Sequence, residues 1–210
     1  MGRLILVLGG ARSGKSRFAQ QLAERIGGDN VLFVATAEAG DSEMERRISI
    51  HRQTRPATWL TVEQPVNVAA TLEELPQRHE VVLVDCLTLL VSNLMLSCGD
   101  SPDPDEAERV ARHELNQLMS FLAERPGTAI VISGEVGLGL VPENALGRLY
   151  RDLLGWANQM VANQADATYL MVAGLAVDIR SLSTTVEQAA NQCLSQRDFD
   201  AGQSEKLRMR

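Results

Sequence analysis

Five short runs, "RLILVLG", "NVLFVAT", "EVVLVDC", "TAIVISG" and "ATYLMVAG", constrain the fold of this chain more than any other feature. Each is apolar over consecutive residues rather than at alternate ones, the pattern of strands covered on both faces. The stretches between them carry helical spacing. From Ser16 to Gly27, Phe18, Leu22 and Ile26 recur four apart and share one helical face. Pro104 to Arg125 reads as a helix opened by acidic residues and closed by "RPG", and Glu143 to Asn163 as another. Strand alternating with helix predicts an α/β fold, a mostly parallel sheet with helices on both faces. The expected organisation is one domain over residues 1–180, followed by a peripheral extension, 181–210, where the composition turns to Ser, Thr, Gln, Asn and charge. A short helix is expected there around Val186 to Leu194, before a frayed end.

The first run breaks into Gly9-Gly10-Ala11-Arg12-Ser13-Gly14-Lys15-Ser16, which satisfies G-x-x-x-x-G-K-[ST] between a strand and a helix. In that context the glycines let a polyphosphate approach the backbone, whose N–H groups and helix N-terminus supply the positive end. Lys15 is expected at the β- and γ-phosphates and the Ser16 hydroxyl on Mg²⁺. "EVVLVDC" ends on Asp85, the position for a second Mg²⁺-organising group at the C-terminal edge of a strand. Two stretches imitate GTPase signatures, "DLLG" at Asp152 to Gly155 and "NQAD" at Asn163 to Asp166. The first lies inside a helical stretch and the second precedes a strand instead of following one, so both are read as coincidence.

Charge and cysteine content narrow the function classes. A formal charge of −7 and a pI near 5.0 argue against a nucleic-acid binder, which needs a basic excess. The cysteines, Cys86, Cys98 and Cys193, form no C-x-x-C pair, which fits a reducing compartment and no disulfide framework. With no run approaching the roughly 18 apolar residues of a membrane span, a cytoplasmic location is expected.

The stretch from Asp41 to Pro65, "DSEMERRISIHRQTRPATWLTVEQP", places Met44, Ile48, His51 and Arg55 on one helical stripe, with Arg47, Arg52 and Arg55 around the histidine and Pro56 ending the helix. Cations beside an imidazole hold it neutral and nucleophilic near pH 7 and grip incoming phosphates. Such a histidine can attack an α-phosphate. His79, in an expected loop, and His113, in mid-helix, are read as structural. "EVGLGLVPEN" brings Glu135 to the C-terminal edge of a strand, where the sheet presents ligands, although its glycines and proline also suit a simple turn.

Taken together, "LGGARSGKSRFAQ", "VATAEAGDSEMERRISIHRQTRPATWLTVEQP", "VLVDCLTLLVSNL", "GEVGLGLVPENALGRLYRDLLGWANQ" and "VAGLAVDI" resemble the bifunctional adenosylcobinamide kinase and adenosylcobinamide-phosphate guanylyltransferase family of cobalamin biosynthesis. The resemblance runs from about Leu4 to Arg180. It implies a RecA-like phosphate-loop sheet and a homotrimer. It also implies two reactions: phosphorylation of adenosylcobinamide by ATP or GTP, then transfer of GMP from GTP through a guanylylated histidine to adenosylcobinamide phosphate. By the same resemblance His51 is that histidine; Gly9 to Ser16, Ala35, Thr36, Ala37, Arg52, Gln53, Thr54, Arg55, Glu63 and Asp85 form the nucleotide site. The chain departs from the family where Asn-Glu-Val-Gly is usual, reading Gly134-Glu135-Val136-Gly137 instead. The rival readings are a plain phosphate-loop kinase of a small alcohol, without a covalent intermediate, and a nucleotide-driven switch related to RecA.

Overall fold

The computed structural model describes residues 2–38, 46, 52, 55–76, 78–192 and 194. The five apolar runs become strands β1 (Arg3–Gly9), β2 (Val31–Ala35), β4 (Val81–Asp85), β5 (Thr128–Ile132) and β6 (Ala167–Val172). Two more strands join them: β3 (Leu60–Glu63), in the "WLTVE" segment, and β7 (Leu175–Asp178). The sheet order is β3-β2-β4-β5-β1-β6-β7, with every pairing parallel except β6 with β7. β6 and β7 form a hairpin closed by Ala173 (φ 51°) and Gly174 (φ 83°), the positive-φ pair that a two-residue turn of this twist requires.

Alternation along β1 divides the core between the two faces. Leu4, Leu6 and Leu8 point to one, packed with the helices α2 (Val68–Glu74), α3 (Leu87–Ser97), α4 (Pro104–Glu124) and α5 (Ala145–Gln164). Ile5 and Val7 point to the other, against α1 (Lys15–Gly27) and Trp59. In α1 the stripe Phe18, Leu22 and Ile26 is half-buried, while Ala19, Ala23 and Gly27 beside it lie deepest. A Cβ on Gly27 would stand 2.8 Å from Val81 Cγ2, so the small-residue stripe sets how closely the helix approaches the sheet.

The helices at 15–27, 104–124 and 145–164 match their sequence expectations to within two residues at each end. Helices α2 and α3 were not apparent from the sequence. α3 is apolar on nearly all sides and runs between α4 and α5 in the core, so it lacks the polar face by which a surface helix announces itself. Residues 186–192 are helical, and every residue from 181 to 192 is exposed.

Both GTPase look-alikes have other roles. "DLLG" lies within α5, with Leu153 and Leu154 buried. The Asp166 carboxylate accepts from Leu4 N at 2.8 Å while Asp166 N donates to Leu4 O at 2.8 Å, clamping the start of β1 to that of β6 at the sheet edge remote from the glycine-rich loop. Among the described residues, no helix is long and apolar enough to cross a membrane.

Candidate active site

The C-terminal ends of the strands are level. Ala35 pairs in register with Glu63 on one side and Asp85 on the other; Asp85 pairs with Ile132, and Ile132 with Val7. Gly9 ends β1 two residues beyond Val7, so the glycine-rich loop opens over the same edge that carries Ala35, Glu63 and Asp85. The strand bearing the loop and the strand bearing Asp85 are separated by β5, and α1 leaves β1 toward β2 while α5 carries the chain from β5 to β6 on the far side. Such a reversal of strand order leaves a crevice at the carboxyl ends, the usual ligand position in an open α/β sheet.

The loop closes through Ser13 N to Gly10 O at 3.3 Å, with Arg12 (φ 56°) and Gly14 (φ 98°) in left-handed conformations. Alternation of this kind turns successive N–H groups inward. Gly9 is obligatory in another sense: a Cβ there would lie 2.6 Å from Met171 O and 2.7 Å from Ser13 Oγ. The β6–β7 turn braces the loop from behind, Gly174 N donating to Ser13 O at 3.0 Å. Ser13 Oγ is buried without a hydrogen-bond partner among the described residues. Lys15 Nζ donates to Gly10 O at 2.6 Å, folding back across its own loop. Burial lowers the Lys15 pKa below the ordinary lysine value, opposed by its neighbours Cys86 and Asp85.

Asp85 also faces a second cation. Burial lowers the Arg55 pKa, opposed first by Asp85 and then by Glu63. The Arg55 guanidinium stacks 3.7 Å from the ring centroid of Phe33, a fully buried side chain of β2, and its Nε and Nη1 are buried with no hydrogen-bond partner among the described residues. Arg52 is engaged differently. Its Nε and Nη2 donate to the two carboxylate oxygens of Glu63 at 2.8 and 2.6 Å, which ties the residue after His51 to the end of β3.

Thr36 is fully buried and serves the backbone: its hydroxyl donates to Cys86 O at 2.6 Å and accepts from Cys86 N at 2.8 Å, and Asn93 Nδ2 donates to Thr36 O at 2.8 Å. It therefore holds the end of β2 to that of β4, while Ala37 beyond it is half-buried. The thiol of half-buried Cys86 is pushed up to about 11 by desolvation and then by Asp85, which keeps it protonated. His51, Gln53 and Thr54 lie outside the described residues. His113 is exposed on α4, and His79 is half-buried on the chain before β4, at the opposite end of that strand from Asp85.

Sequence reasoning missed the platform under Arg55, because Phe33 reads only as one more strand residue, and missed Asn93 and Thr88 in a helix it did not foresee. The Gly134 departure has a local explanation. Gly134 N donates to Thr88 Oγ1 at 2.6 Å, and a Cβ at 134 would stand 3.1 Å from that oxygen and 3.3 Å from Thr88 Cγ2. Asn158 Nδ2 donates to Gly134 O at 2.9 Å and Ser133 Oγ to Asn158 Oδ1 at 2.5 Å, so this corner is pinned without a side chain at 134.

A parallel sheet with this strand order, a glycine-rich loop leading into a helix and a carboxylate ending a strand one removed from the loop define a RecA-like phosphate-loop nucleotide-binding protein. Within that class the chain belongs to the cobinamide kinase / cobinamide phosphate guanyltransferase family, whose model matches residues 5–179. It is an enzyme of that bifunctional transferase family. The bifunctional adenosylcobalamin biosynthesis protein CobP of Pseudomonas aeruginosa is 46% identical over 175 residues, 83% of this chain and 96% of that protein. The corresponding CobU protein of Escherichia coli is 40% identical over 183 residues, 84% of this chain and 99% of that one. Among solved structures, a KaiC-like protein from Pyrococcus horikoshii is similar at 14% identity and a TM-score of 0.46, covering 80% of this chain and 70% of that one.

Proposed function

We propose that this protein phosphorylates adenosylcobinamide with ATP or GTP and then transfers GMP from GTP, through His51, to adenosylcobinamide phosphate, giving adenosylcobinamide-GDP and pyrophosphate. Both reactions are assigned to residues 1–180, in the cytoplasm. The observation that carries the reading is the convergence of Lys15, Arg55 and Asp85 on one sheet edge, with Arg52 fastened beside them by Glu63. A triphosphate over the loop would exchange the Lys15 contact with Gly10 O for phosphate oxygens, and Arg55 offers two unpartnered donors for the same purpose.

The chemistry assigned to His51 is displacement at the α-phosphorus. The imidazole nitrogen forms a P–N bond as the bond to pyrophosphate breaks, and a phosphate oxygen of the acceptor then forms a P–O bond as the P–N bond breaks, freeing the histidine. Ser16, in the first turn of α1, and Asp85 supply one hydroxyl and one carboxylate, a donor set that suits Mg²⁺ arriving with a nucleotide and keeping its waters. When bound, Mg²⁺ would neutralise negative charge on the β- and γ-phosphates.

A homotrimer is part of the same reading. An apolar face at the sheet edge supports self-association: Val172, Leu175 and Val177 lie on one side of the hairpin, with Leu175 71% exposed.

The test is labelling. Protein incubated with α-labelled GTP and Mg²⁺, then denatured, is expected to carry an acid-labile, alkali-stable label that is lost in His51→Ala, while the variant retains phosphorylation of adenosylcobinamide. Labelling of the variant equal to wild type would remove His51 from the mechanism.

A further inference from the structure

Asp85 is assigned to Mg²⁺ in the function proposed above, which leaves the acceptor hydroxyl of the kinase reaction to another base. A second carboxylate follows the strand that lies between the loop and Asp85. Glu135 follows β5, the strand between β1 and β4, and its backbone N–H donates to Gly9 O at 3.0 Å, fastening it to the first residue of the phosphate loop. It lies three residues beyond Ile132, which is level with Asp85, so it occupies the rim of the crevice where Asp85 occupies the floor.

The segment around Glu135 is held from three sides. Gly134 is bonded to Thr88 Oγ1 and Asn158 Nδ2, Tyr150 Oη donates to Thr88 O at 3.3 Å, and Val136 packs into the core. The Glu135 carboxylate is half-buried; Oε1 accepts from Gly137 N at 2.6 Å, which orients the group and leaves its second oxygen free of that bond. Beyond it the loop exposes Leu138 and Leu140, 86% and 97%, so an acceptor arriving over Glu135 meets an apolar rim suited to a large ring system. Backbone tie, pinned corner and acceptor-only chemistry describe a positioned base.

We propose that Glu135 is the catalytic base of the phosphoryl-transfer reaction, an inference that rests on the function proposed above. Its carboxylate takes the proton of the acceptor hydroxyl as that oxygen bonds to the γ-phosphorus, and the bond from the γ-phosphorus to the β,γ-bridging oxygen breaks with its electron pair leaving on the nucleoside diphosphate. Guanylyl transfer has no hydroxyl to deprotonate, since its nucleophiles are an imidazole and a phosphate. The two activities must therefore respond differently to loss of this carboxylate.

Glu135→Gln keeps a carbonyl oxygen for Gly137 N and removes the base. With adenosylcobinamide and γ-labelled ATP, the kinase kcat of E135Q is expected to fall hundredfold or more. ATP affinity by calorimetry and labelling by α-labelled GTP stay within about twofold of wild type, because neither requires a base at the acceptor hydroxyl. Formate added to Glu135→Ala is expected to restore kinase turnover at least tenfold, a rescue that a purely structural residue does not permit. The assignment is overturned by E135Q turnover within threefold of wild type, by a parallel loss of labelling and nucleotide affinity, or by no response of Glu135→Ala to formate. A wild-type protein that transfers no γ-phosphate to adenosylcobinamide would instead sink the underlying function.

Discussion

Arg55 concentrates the residue-scale physics of the site. Its planar cation lies on the Phe33 ring, with two nitrogens buried and no partner for them among the described residues. Leaving such donors unmade is costly, and the arrangement makes sense where an anion completes it. Lysine in its place keeps the charge and loses both the stack and the fork. Arg55→Lys is therefore expected to raise the dissociation constant for GTP by about tenfold, roughly 1.4 kcal/mol, in a calorimetric titration. An unchanged constant would show that the guanidinium does not meet the nucleotide. The loop residues were readable as a linear pattern, because the backbone itself does the binding. Neither the Phe33 platform nor the Arg52–Glu63 pair could be read that way, since each joins residues on different elements.

Among the elements, the short helix α2 shows how a segment without its own signals is made to fold. Its N-cap, Asn67, has a positive φ of 55° and makes no side-chain cap. The buried donors of its first turn, which lack intrahelical partners, are met from outside: Glu114, buried in α4, accepts from Val68 N at 2.6 Å and Ala69 N at 3.3 Å. A carboxylate there satisfies two orphan N–H groups and faces the positive end of the helix. Glu114→Ala is expected to destabilise the protein by about 2–3 kcal/mol in urea denaturation; a loss under about 0.5 kcal/mol would contradict the capping role. The same element-level dependence explains why α2 and α3 escaped the sequence reading while α1, α4 and α5 did not. The latter three keep a polar face toward water, so their period survives in the sequence, whereas α3 is apolar nearly all round and half-buried or buried along most of its length.

Over the molecule as a whole, the sheet edge at β6 and β7 combines support of the loop with an uncovered apolar face. Gly174 braces Ser13 from the hairpin turn, while Val172, Leu175 and Val177 lie on the hairpin's surface. Leu175→Asp places a charge in that face. The variant is expected to lower the solution mass by light scattering relative to wild type while far-ultraviolet dichroism stays the same. Equal masses would exclude this face as the subunit contact. Read alone, the sequence determined that the chain would be a layered α/β protein with a phosphate loop, because continuous apolar runs and a glycine-rich turn are local properties of the polymer. Only the tertiary structure decided that β5 stands between the loop and Asp85, that Glu135 reaches Gly9, and that a second hairpin strand backs the loop. Parallel strands are joined by long crossovers, so neighbours in the sheet are distant in the chain, and no local period records which of them will meet.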